Sequence, residues 1–485
     1  MANWGIHTNG NANNGGGFRG SALFADAHDS GGTPGDPLLS VTNATFTNAT
    51  KTIGGLAGAA VAGMVDVYVY LDHASEPETW EIYVESITDV NSLVLDAIPA
   101  GWDVNLTDVT ITIGGFFSSI EDLISTGADV ITAGDTVQWI DGMTDEVGAN
   151  NDFVAGTAGD YVVYESVDSS GAVIVVERDE QGSDGQKSGK LITTGMSTID
   201  MGTTYRCDLS SYNVFRNLHF SGARNGIIMS GASSDGVNFL DCVIRNTNTT
   251  VEDTICQLII LDDSCVIKNC DLIADSTTTT SSLVTIGNGG VFDGCWIESK
   301  STDSAVELIL SSFGYNMTVT KCVLIGGGAG KAIVPHARLI YTTSILSNTF
   351  YNFDYCVRVV TVHSANSLVA LTDNLVVDCT NFVHNTQSSA VNLFSVNNVL
   401  PPTGTMAEAD RYDGNLAGFY ENYDTISADD ADDTFETPGS DFRPEDTAEA
   451  LGIAAFGADA GAVRNLGTGG GGGAASHGTI TGGMQ

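Results

Sequence analysis

Through the middle of the chain, apolar residues fall in short runs bounded by Gly, Asn, Asp and Ser, without sustained helical spacing. One frame recurs: an apolar residue, two mostly polar residues, a cysteine, then a β-type apolar run. It reads FLDCVI (Phe239–Ile244), IKNCDLI (Ile267–Ile273), FDGCWI (Phe292–Ile297) and VTKCVLI (Val319–Ile325). FRNLHF (Phe215–Phe220) anticipates it, and LSNTFYN (Leu346–Asn352), LTDNLVV (Leu371–Val377) and SVNNVL (Ser395–Leu400) continue it less strictly. The central position moves through 218, 242, 270, 295, 322, 349, 374 and 398, a period near 26 residues. So steady a period is the mark of a stacked repeat. Runs between the motifs, such as GIIMSG (Gly226–Gly231) and AVELIL (Ala305–Leu310), predict two or three strands per period. The expected fold is all-β, a parallel solenoid of about eight coils over residues 207–400. Equivalent residues then stack, so Cys242, Cys270, Cys295 and Cys322 are expected inside as small apolar filler.

The flanking regions read differently. Residues 1–40 form a Gly/Asn-rich arm, expected to order only against a partner. Residues 41–115 carry five or six short β runs, among them VDVYVYL (Val65–Leu71) and WEIYVESI (Trp80–Ile87), and predict a small barrel or sandwich. Residues 116–206 read as the lead-in to the solenoid, with one short helix over Ser118–Thr126. The repeat stops near 400; residues 401–465 are an acidic closing segment and 466–485 a flexible Gly-rich tail.

Composition narrows the partners. With 18 Lys+Arg against 60 Asp+Glu the net charge is −42, which excludes a phosphate-neutralising surface and therefore nucleic acid. Anionic membranes should repel the chain, and its most apolar stretch, Ile53–Val65, is too short to span a bilayer, which takes about 20 residues. Nine cysteines, an odd number with no CxxC pair, argue against a disulfide scaffold or zinc site and point to folding in a reducing cytoplasm. The absence of a cationic, apolar leader at the start is read the same way.

The coil motifs, the Asn/Gly-rich start, the segment TWEIYVESITDVNSLVLD (Thr79–Asp96) and the ending DFRPEDTAEALGI (Asp441–Ile453) with GADAGAVR (Gly457–Arg464) together resemble one group. This is the right-handed, pectate-lyase-like parallel β-helix proteins of bacteriophage particles. Ala460 stands where the group's closing motif has Ile. The resemblance implies a virion spike, fibre or surface decoration, assembled in the host cytoplasm. Its implied partners are a homo-oligomer, expected as a trimer, other virion proteins through the N-terminal arm, and a host-surface glycan.

Enzymatic chemistry is the alternative, because β-helices also carry polysaccharide lyases and hydrolases, and a hydrolase needs paired carboxylates. The coil-facing acids are Asp241, Asp262, Asp263, Asp271 and Asp293, offset around the cysteine slot rather than aligned. Asp262–Asp263 is the best pair, with Arg245 the nearest upstream base and Asp241 the third candidate. Their offset, in a chain with 60 acids, favours solvated turns and no catalytic set. Tyr315, Tyr351, Phe353 and Tyr355 are read as core residues rather than sugar-stacking platforms. No HExxH, GxSxG or GxxxxGK motif occurs. No cofactor is expected; Asp429, Asp430, Asp432, Asp433 and Glu436 offer only weak Ca²⁺ screening, without an EF-hand frame. The leading expectation is a non-enzymatic virion protein; a polysaccharide depolymerase and an extracellular adhesin or sheath protein are the alternatives.

Overall fold

The computed structural model describes residues 1–400 except 20–21, 29–34, 126–129, 149–150, 181–186, 224–227, 231–234, 249–258, 261–263, 278–281, 312–315, 338–341, 363–366 and 387–390. Beyond 400 it describes the backbone of 412–414, 416–422, 425–426, 435–437 and 441–444. The chain forms two compact units: Met1–Glu177 with Leu191–Val291, and Arg178–Lys190 with Phe292–Gln485. The fold is all-β, a parallel β-helix together with a small β-barrel.

In the first unit six antiparallel strands close the barrel: Leu39–Thr47, Thr52–Gly54, Ser92–Leu95, Glu76–Asp89, Tyr68–His73 and Leu106–Ile113. In the apolar stretch after Ile53, Leu56, Ala60 and Met64 join the barrel core together with Trp102. Parallel pairing begins at Thr136–Ile140, which aligns with Val162–Val167. From there each coil contributes three strands. Asn213–Arg216, Leu218–Gly222 and Ile228–Ser230 make one coil, and each pairs in parallel with its counterpart in the next. The expected helix is present as Ile120–Ser125, its first amide held by the buried Asp145 carboxylate at 3.0 Å.

The start of the chain departs from the expected free arm. Ala2–Ile6 pairs in parallel with Thr136–Ile140 and antiparallel with Gly17–Arg19. Trp4 and Ile6 are buried, and Asp135 accepts hydrogen bonds from the Ala2 amide (2.5 Å) and the Trp4 indole (3.3 Å). The first strand of a solenoid exposes an unpaired edge, a liability in any sheet. The N-terminal residues cover that edge within the chain itself.

In the second unit the same three faces recur. Asn316–Thr320, Thr342–Leu346, Leu368–Thr372 and Val391–Val396 stack in parallel as one face. Trp296–Ser299, Val323–Ile325, Thr349–Tyr351 and Leu375–Val377 form the second. Glu307–Ser311, Lys331–Ala337, Tyr355–Val359 and Asn381–Asn385 form the third.

The two polar residues of the sequence frame make the corner between the first and second faces. The residue before the slot is left-handed in every coil: Asn217, Asp241, Asn269, Gly294, Lys321, Ser347, Asp373 and Asn397 have φ between 52° and 67°. Asn, Asp and Gly tolerate that region best, which explains their frequency there. The slot residue itself is buried. Register places Asn348, not residue 349, in line with Cys322, because Val323 pairs with Thr349.

The slot side chains are more than filler. Asn348, Asn374 and Asn398 form a ladder: the Cys322, Asn348 and Asn374 amides donate to the next slot's Oδ1 at 2.9–3.0 Å. Each Nδ2 in turn donates to a carbonyl of the preceding coil, at Val319, Ile345 and Leu371 (2.9–3.2 Å). In the first unit thiols repeat the pattern: the Cys242 amide donates to Cys270 Sγ (3.4 Å), and Cys242 and Cys270 point Sγ–H at Phe215 O and Phe239 O. Cysteine and asparagine are therefore two occupants of one hydrogen-bonding position, the thiol the weaker. Burial also pushes the Cys322 thiol well above its usual range, which disfavours a thiolate metal ladder.

Replacing Asn374 by Ala orphans the buried Asn348 amide and the Ile345 carbonyl, at about 1–3 kcal/mol each. We expect Asn374→Ala to lower unfolding free energy by roughly 2–5 kcal/mol in denaturant titration, with Asn374→Cys costing clearly less. Equal losses for the two variants would show that the slot needs volume and not hydrogen bonds.

Candidate functional site

Among the described residues, the acids singled out in the sequence do not assemble a site. Asp241 is the left-handed corner residue, and its carboxylate accepts the Asn269 side-chain amide of the next coil. Asp271 is buried and accepts the Leu191 amide at 2.7 Å, while Arg245 is paired with Asp275 at 2.7 Å. Asp262 and Asp263 lie outside the described residues, as do Asp429, Asp430, Asp432 and Asp433; Glu436 sits on the strand Phe435–Thr437. Among the described residues, no three His, Cys, Asp or Glu gather where they could hold a metal ion.

A different group converges on the third face of the second unit. Its strands run parallel in a register that pairs Glu307 with Lys331, Lys331 with Tyr355, and Tyr355 with Asn381. A second row pairs Leu310 with Val334 and Arg358 with His384. Leu308, Ile309, Cys356, Val357, Phe382 and Val383 are buried. Tyr355, Arg358 and His384 are half-buried; Tyr355 and Arg358 share one strand, and His384 is the register partner of Arg358 on the next, about 4.8 Å away.

The electrostatics of this face are uneven. Lys331 is only 6% exposed, and its ammonium lies 3.7 Å from Glu307. Burial lowers the Lys331 pKa from its ordinary 10.5; Glu307 opposes the shift and the nearby Arg358 adds to it. The Arg358 guanidinium lies over the Tyr355 ring at 5.5 Å, and Tyr355 meets the His384 ring at 5.3 Å. Arg358 Nε is buried without a hydrogen-bond partner. A guanidinium held by stacking, with its Nε donor unspent, suits an incoming carboxylate. Asn381 bridges to the Asp354 carbonyl at 3.0 Å and closes the cluster. A partly desolvated amine that feels a nearby guanidinium can take a proton from a substrate whose acid group the guanidinium neutralises.

Tyr355 was expected in the core and is not; Tyr351 is likewise half-exposed, while Phe353 is buried as expected and Tyr315 is not described. A trace of the site is present in the sequence as Tyr355-x-x-Arg358 and Asn381-x-x-His384, polar pairs at one repeat's spacing. The pairs sit outside the cysteine frame, whose apolar residues report only what faces inward.

No family model matches the chain, and no curated protein matches it. Among solved structures it is similar to pectate lyase Pel9A (TM-score 0.47, 12% identity, 72% of this chain and 92% of that one). It is also similar to an alginate lyase from Paenibacillus sp. str. FPU-7 (TM-score 0.37, 12% identity, 61% and 93%). A third is a mannuronic acid specific polysaccharide family 6 lyase from human gut microbiota (TM-score 0.33, 12% identity, 63% and 84%). The β-helix assignment itself rests on the strand register above.

The charged neighbours of Lys331 act on it in opposite directions, Glu307 and Asp354 raising its pKa and Arg358 lowering it. Side-chain NMR titration should find Lys331 half-deprotonated below pH 10.5. Glu307→Gln should move that midpoint further down and Arg358→Ala should move it up; no response to either would disprove the coupling.

Proposed function

We propose that this protein is a polysaccharide depolymerase acting on an acidic glycan by β-elimination, with its site on the Lys331–Arg358 face. The observation that carries the reading is the partly desolvated Lys331 amine near a stacked Arg358 with its Nε donor unspent. In this mechanism Arg358 binds the uronate carboxylate and makes the adjacent C5 proton more acidic. Neutral Lys331 takes that proton; the C4–O bond breaks, a C4=C5 double bond forms, and the leaving oxygen is protonated from His384 or water. Tyr355 gives the sugar ring an aromatic surface.

Elimination is favoured over hydrolysis here because the face offers cations around a single base rather than two free carboxylates: Glu307 is paired to Lys331. The spike, fibre or decoration role, with its trimer and virion partners, rests on the sequence resemblance alone. The same holds for a location on the virion. The purely structural reading also drew on the offset of the coil acids, and the Lys331 cluster supports the depolymerase alternative over it.

The net charge of −42 opposes approach of a polyanion, an effect screened beyond about 8 Å at physiological salt. Incubation with uronate polymers should release products carrying a conjugated double bond, seen by ultraviolet absorbance. The rate should rise with pH as Lys331 loses its proton, and kcat/KM should rise with added salt. Lys331→Ala should lower kcat by about 10²–10⁴-fold, the usual worth of a general base. Saturated reducing ends released equally by wild type and Lys331→Ala would overturn the proposal.

A further inference from the structure

A second cleft, of about 410 Å³, lies on the barrel of the first unit, between the N-terminal loop and the strands Tyr68–His73 and Leu106–Ile113. Its walls are fixed before any ligand arrives. Trp80 packs on Tyr70 at 5.1 Å and donates its indole N–H to the Ala12 carbonyl at 3.2 Å, pinning the Asn-rich loop to the barrel. Asn14, buried, donates to Gly35 O (2.9 Å) and Phe116 O (2.8 Å) and so ties the opposite wall to the same scaffold. Gly10 lies against the Phe117 carbonyl, and Gly35, at φ +110°, against Asn9, so neither position has room for a side chain. Burial holds His7 below its ordinary pKa of 6.5, and its Nδ1 accepts the Asn9 amide at 3.1 Å.

With the backbone so held, the cleft is lined by Asn9, Asn13, Asp36, Ser40, Tyr70 and Asp72, among others. The chemistry of that lining is specific. Amides and hydroxyls both donate and accept, the two carboxylates accept, and the lining has no Lys, Arg or His. An anionic sugar finds no counter-charge there, whereas the hydroxyls of a neutral one find donors and acceptors in a preformed site. The volume lies in the range of small-ligand sites, roughly 300–1,000 Å³. Rigid walls also reduce the ordering cost of binding.

We propose that this cleft is a non-catalytic binding site for a neutral glycan, of one or two hexose units. The inference does not depend on lyase chemistry at Lys331, and it assigns to the barrel a ligand of different charge from the one proposed for the coils.

The test uses the full chain carrying Lys331→Ala, so that an acidic-glycan activity, present or absent, does not enter. Neutral hexoses and their disaccharides are titrated in by calorimetry and by saturation-transfer NMR, with and without EDTA. At least one should bind, EDTA should not matter, and Asp72→Asn and Asn13→Ala should each weaken binding about tenfold or more. Both variants, placed in the chain with Lys331 intact, should keep its melting temperature and any activity of the coils. Three results would overturn the proposal: no neutral sugar binds, binding is unchanged in both variants, or Ca²⁺ alone binds at Asp72.

Discussion

In each coil the chain turns through a left-handed residue, and the amide that follows points inward, into a corner where no neighbouring strand can receive it. A buried amide left without a partner costs about as much as a hydrogen bond is worth. The chain supplies the acceptor from the next coil: Cys270 Sγ for Cys242, Asn348 Oδ1 for Cys322, Asn374 Oδ1 for Asn348. Because the Cys242, Cys270, Asn348, Asn374 and Asn398 side chains also donate back across the stack, a slip in register would break several bonds at once. In each unit this ladder fixes the alignment of successive coils.

Fixed register is what turns a repeat into a surface with chemistry. In the second unit it brings Glu307, Lys331, Tyr355 and Asn381 into one row and Arg358 and His384 into another, though 24 to 26 residues separate paired neighbours in sequence. The desolvation that lowers the Lys331 pKa and the ring that carries Arg358 follow from that alignment. The barrel uses the same economy with different means: Trp80 and Asn14 hold two loops so that the remaining amides face a cleft.

The sequence revealed most of the inward structure. Apolar residues and cysteines recur because interior stacks demand it, so the period, the all-β class and the barrel were legible. The slot was misplaced by one residue, at Thr349 instead of Asn348, because the interval between motifs varies and only the strand register fixes it. The N-terminal strand was missed because MANWGIH carries no long β run, and its partner, Thr136–Ile140, lies over 120 residues away. The outward cluster was missed for a related reason. Exposed positions obey no packing rule, and the loops between coils vary in length, so the coincidence of Lys331, Arg358 and His384 exists only once the register is known. Asp241 illustrates the converse error: an acid near the slot is there for its backbone angle.

The most direct test of this account is a crystal structure of the protein with an acidic oligosaccharide bound, obtained by soaking or with Lys331→Ala. The account predicts a sugar ring against Tyr355, its carboxylate on the Arg358 guanidinium and its C5 facing position 331. An oligosaccharide bound on another face, with Arg358 untouched, would contradict it.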